Sequence, residues 1–69
     1  MIKLTDEQKK FILERFPEKE AFLETAKVDD VLELVSDDLT MNGFDENDDI
    51  TDEGLRIERI YDGIFYGNQ

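Results

Sequence analysis

Eleven carboxylates lie between Val28 and Leu55 with no Lys or Arg among them: Asp29, Asp30, Glu33, Asp37, Asp38, Asp45, Glu46, Asp48, Asp49, Asp52 and Glu53. Clustered carboxylates can hold a hard cation, exchange protons in pairs, or meet a cationic partner. With this many acids some pair falls at any chosen separation, so pairing alone assigns no reaction. The chain has no histidine and no cysteine. That removes the commonest general base, the thiol nucleophile and the thiolate zinc site. Ser36 is the only serine and has no histidine to activate it. The four glycines are scattered and form no phosphate-cradling loop. The chain therefore reads as a non-enzyme, with no catalytic residue, no metal ligand and no cofactor expected.

The segment Asp45-Glu46-Asn47-Asp48-Asp49 invites a calcium reading, because Asp45, Asn47 and Asp49 alternate as at the start of an EF-hand loop. The rest of that pattern fails. Ile50 stands sixth, where a sharp turn needs glycine, and Arg56 stands twelfth, where a bidentate acid closes the site. A divalent-cation-binding acidic loop is accordingly an alternative function, without assigned ligands. A solvated acidic loop at 43–50 is the simpler expectation.

The ends of the chain are electrically balanced. Residues 1–27 carry six bases and six acids, and residues 56–69 carry two of each, so the net charge of −11 is a local patch. A patch of that sign selects a protein with a basic surface and disfavours direct nucleic-acid binding. Asp29, Glu33 and Asp37 recur at i, i+4 and i+8, with Asp30 and Asp38 on adjoining rows. Like charges so placed cost a helix about 0.2–0.5 kcal/mol per pair, and the N-terminal dipole favours only Asp29 and Asp30. Asp30, Glu33, Asp37 and Asp38 thus form an expected acidic ridge, its charges about 6 Å apart along a column. Leu34, Met41 and Phe44 are the apolar contacts expected beside it. These seven residues are the candidate partner-binding set, and a protein-binding module or inhibitor is the expected function. One form of it occupies the basic groove of a nucleic-acid-binding protein. A structural accessory or self-associating subunit using the Leu34/Met41 strip is a further alternative.

The elements that must position these residues are helical. Thr5 can cap a helix over 5–15, with Gln8 at the capping-box position and Phe11, Ile12 and Phe16 facing inward. Phe16-Pro17 breaks it, and Pro17 suits the first turn of a second helix over 17–26 burying Ala21, Phe22 and Ala26. Val28, Val31, Leu32, Val35 and Leu39 form the stripe of a third helix over 28–42, stopped at Asn42-Gly43 with Gly43 free to turn left-handed. Thr51-Asp52-Glu53 repeats the first helix start. A fourth helix over 51–65 would align Ile57, Ile60, Tyr61, Ile64 and Phe65, with Asp52 and Arg56 paired four apart. Asp62-Gly63 between apolar residues is a competing hairpin signal. Residues 55–65 lack clean alternation, so the helix is preferred.

The whole reads as one small all-α domain, a bundle of three to four helices. Sixty-nine residues bury only about 60% of the unfolded surface, so little stability is to spare. No stretch reaches the roughly 20 apolar residues that span a bilayer, and the first residues contain no apolar signal core. A cytoplasmic protein is expected.

Overall fold

A computed structural model describes residues 2–69 of the chain. Four α-helices follow one another: α1 (Asp6–Arg15), α2 (Glu20–Thr25), α3 (Val28–Asn42) and α4 (Asp52–Gly67), with a 3₁₀ turn at Pro17–Lys19 leading into α2. No strand forms among the described residues. The all-α bundle is thus the fold, and the region of Asp62-Gly63 is helix rather than hairpin.

The capping signals act as the residue types require. The Gln8 amide donates to Thr5 Oγ1 at 3.1 Å and the Thr5 amide donates to Gln8 Oε1 at 3.0 Å, a complete capping box. At α4, the Gly54 amide donates to Thr51 Oγ1 at 3.0 Å. Glycine at that third position returns no side-chain bond, so the second start shares only half of the chemistry. The Thr51 hydroxyl instead donates to the Gly43 carbonyl at 3.2 Å, and the Thr51 amide donates to the same oxygen at 2.9 Å. Thr51→Ala should therefore lower stability by about 1–2 kcal/mol, read by thermal or urea unfolding.

α3 and α4 form an antiparallel hairpin against which α1 and α2 pack. Phe11, Ile12, Leu23, Ala26, Val31, Leu32, Val35, Ile57, Ile60 and Ile64 make one contiguous buried cluster. The α3 stripe is as its spacing requires, with Val28 and Leu39 at its half-buried ends. The second helix differs from expectation. Ala21 is exposed, Phe22 is half-buried and Leu23 is the buried residue. The 3₁₀ turn advances about 20° more per residue than an α-helix, which rotates the inward face onto Leu23. In α4, Tyr61 is half-buried and Phe65 is exposed, so the core edge is Ile57, Ile60 and Ile64.

Gly43 ends α3 with φ −95° and ψ −4°, not in the left-handed region. Its lack of a side chain serves closeness instead. A Cβ on Gly43 would stand 3.2 Å from the Gly54 Cα, and a Cβ on Gly54 would stand 2.1 Å from the Gly43 carbonyl oxygen. The two glycines let the end of α3 and the start of α4 touch backbone to backbone. At the other end, Asn68 ties the termini together: its Oδ1 accepts from the Lys3 amide at 2.7 Å and its Nδ2 donates to the Lys3 carbonyl at 2.8 Å.

Candidate functional site

α3 distributes the expected ridge between two environments. At about 100° per residue, Asp30, Leu34, Asp37 and Met41 (i, i+4, i+7, i+11) line one outer stripe, with Glu33 beside it. Asp30, Glu33 and Asp37 are exposed. Asp30 also accepts a hydrogen bond from the Lys27 amide at 3.3 Å, so part of its role is to cap α3. Leu34 is half-buried against the core, whereas Met41 is 79% exposed, so the two do not form one continuous strip.

Asp38 leaves the ridge altogether. It is 4% exposed, and Arg15 of α1 grips it with two guanidinium nitrogens: Nε donates to Oδ2 and Nη2 donates to Oδ1 at 2.8 Å. Asn42 Nδ2 donates to the same Oδ1 at 2.8 Å. Arg15 Nη1 also donates to Glu53 Oε1 of α4 at 2.6 Å. One guanidinium thus joins α1, α3 and α4. The hydrogen bond that Arg15 donates to Asp38, with the one to Glu53 adding to it, holds the Arg15 proton more tightly than in a free arginine. Asp38 on a partner-binding surface is therefore corrected: its carboxylate faces inward because α1 supplies the countercharge there. The partner, Arg15, is 23 residues away in sequence and carries no local signal.

The expected Asp52–Arg56 pair does not form either. Among the described residues the ion pairs are Lys10–Glu14, Arg15–Asp38 and Arg15–Glu53. The Arg56 guanidinium lies 5.2 Å from the centre of the Phe11 ring, and that of Arg15 lies 5.4 Å from the same ring. Two cations on one aromatic gain ring contact at a partly dry site, which a solvent-facing helix pair does not offer.

The acidic loop is built rather than loose. The Asp45 amide donates to the Asp49 carbonyl at 2.9 Å, and the Asp48 amide donates to the Asp45 carbonyl at 3.0 Å. Asp45 Oδ1 accepts from the amides of Asn47 at 2.8 Å and Asp49 at 3.1 Å. Asp48 takes a left-handed φ of 62°, a conformation that aspartate tolerates in turns. Phe44 and Ile50 face each other across an isolated antiparallel bridge. The Asp45 carboxylate is thus occupied by turn formation, and among the described residues no three acids converge as a metal-binding group.

Comparison with protein-family models, curated proteins and solved structures gives no match. Among the described residues no helix is long and apolar enough to cross a membrane. Two shallow grooves of about 580 and 540 Å³ adjoin Ile2, Glu24 and Thr25. Both lie near the start of α3, away from the acidic loop.

The exposed apolar residues concentrate at that loop. Phe44 is 45%, Ile50 37% and Leu55 49% exposed, in addition to Met41. Ile50 and Leu55 are absent from the set read from sequence. Leu55 could have been found, since it falls outside the stripe of Ile57, Ile60 and Ile64. Tyr66 is well exposed but belongs to the last turn of α4, and antiparallel packing carries it to the opposite end, away from the acidic loop.

Proposed function

We propose that this protein is a non-catalytic binding module of the cytoplasm whose acidic α3 face docks on the basic surface of a protein partner. The observation that supports this reading is the outer stripe of α3. Asp30, Glu33 and Asp37 are exposed there with no base in ion-pair range among the described residues, and exposed Met41 lies one turn beyond Asp37. Uncompensated acids beside apolar side chains supply steering charge and desolvatable area together. Inhibition by occupying a groove meant for phosphates is the specific form of this function. Asp38 contributes to it only by holding the bundle.

The test is a variant that changes the stripe without touching the core, Asp30→Asn/Glu33→Lys/Asp37→Lys, in which asparagine retains the cap at position 30. Affinity capture at low salt should recover a basic protein with the natural chain and at least ~tenfold less with the variant. Circular dichroism of the variant should be unchanged. Equal capture by both chains at equal helicity refutes the reading.

A further inference from the structure

We infer that the loop end of the α3–α4 hairpin is an anchor site for a basic amphipathic helix of the partner protein. The inference rests on the acidic-module reading and adds to it the place where the partner's apolar side chains insert. Among the described residues, Met41, Phe44, Ile50 and Leu55 are four of the six exposed large apolar residues, and only Phe65 and Tyr66 lie elsewhere. Three elements bring them to one end. Met41 is in the last turn of α3, Phe44 and Ile50 pair across the bridge, and Leu55 is in the first turn of α4. The Ile50 Cγ1 lies 2.7 Å from where a Gly54 Cβ would stand, so Ile50 covers the turn beside Leu55. The Gly43 carbonyl, bonded to Thr51, holds the α3 terminus and the loop exit together.

Charge selects the occupant. Asp37, Asp45, Glu46, Asp48, Asp49 and Asp52 lie in the same helix ends and loop and are all exposed. Arg15, the base that reaches Asp38 and Glu53, is committed to them. An apolar surface beside exposed acids repels anionic lipid and nucleic acid, and it is matched by apolar residues flanked by Lys or Arg. Backbone bonding selects the shape. The Phe44–Ile50 bridge is a single residue pair, too short an edge to template an added strand. The partner must present side chains, as a helix does with apolar residues at i, i+3, i+4 and i+7.

The probe is a model peptide of Leu and Lys with leucines at that spacing, compared with a scrambled peptide of the same composition. The helical peptide should bind saturably and at least ~tenfold tighter than the scrambled one, by fluorescence anisotropy. Phe44→Ala/Leu55→Ala should lose at least ~tenfold of that affinity, while Phe65→Ala/Tyr66→Ala should lose none. Leu55→Ala alone, on the solvent side of α4, gives a smaller loss in the same direction and guards against a disturbed loop. Equal binding of the two peptides, or indifference to the Phe44 and Leu55 changes, overturns the anchor. Such indifference, combined with lost binding in the α3 charge variant, would leave the acidic-module reading intact. Indifference to both variants would remove both. Self-association of the natural chain that Phe44→Ala/Leu55→Ala abolishes would assign a second copy as occupant and overturn the basic helix.

Discussion

Asp38→Ala is expected to lower the unfolding free energy by about 3 kcal/mol, the largest effect of any single acid in the chain. Removing one member of a buried ion pair leaves the other desolvated without compensation, which costs about 3–5 kcal/mol for a fully buried pair. The lower end applies because the Arg15 side chain is 23% exposed and retains Glu53. Asn42 loses its acceptor as well. A 69-residue bundle has few kcal/mol in reserve, so the variant should be substantially unfolded near 37 °C. Urea denaturation monitored by circular dichroism measures it. The paired replacement Arg15→Met/Asp38→Leu should recover most of the loss, since apolar residues of similar volume often replace a buried pair at little cost. A shift under about 1 kcal/mol in Asp38→Ala would mean that the pair is solvated in solution. The result bears on the proposed function too: reversing Asp38 would unfold the chain, so a test of partner binding should leave it in place.

Gly54→Ala should destabilise by about 3 kcal/mol, even though alanine favours a helix over glycine by about 1 kcal/mol. The added methyl would meet the Gly43 carbonyl oxygen at 2.1 Å and Ile50 Cγ1 at 2.7 Å. The oxygen is backbone and is held by two bonds from Thr51, so it cannot swing aside. Either the α3 terminus moves off α4 or those bonds break, and in both cases Phe44 and Ile50 shift. Gly67→Ala is the matched control. Nothing lies within 4 Å of its Cβ position, and stability should hold or rise by a few tenths of a kcal/mol. Melting temperatures of the two variants separate a steric requirement from helix propensity. A Gly54→Ala protein as stable as the natural chain would show that the close approach relaxes without cost.

Local signals carried most of the architecture. Thr5 with Gln8, Phe16 before Pro17, and the stripe of Val28, Val31, Leu32, Val35 and Leu39 act within one or two helical turns. Their consequences could therefore be read from spacing alone. The departures arise where position depends on a neighbour distant in sequence. The inward face of α2 was rotated by a 3₁₀ turn, Arg56 preferred the ring of Phe11 to Asp52, and Gly43 served contact with Gly54 rather than a left-handed cap.

What the sequence determined by itself is the helical class, the starts of α1, α3 and α4, and the concentration of acid between Val28 and Leu55. Charge and periodicity are properties of the chain before it folds, and folding can only place them. Tertiary structure decided what each acid is for. Asp38 became the core of an ion pair because α1 delivers Arg15 to it, and Asp45 became the staple of a turn. Asp30, Glu33 and Asp37 remained on the surface, where among the described residues no base forms an ion pair with them. The apolar group of Met41, Phe44, Ile50 and Leu55 is likewise a product of the fold. Its members are spread along the chain and come to one end of the hairpin because two glycines let α3 and α4 close upon each other.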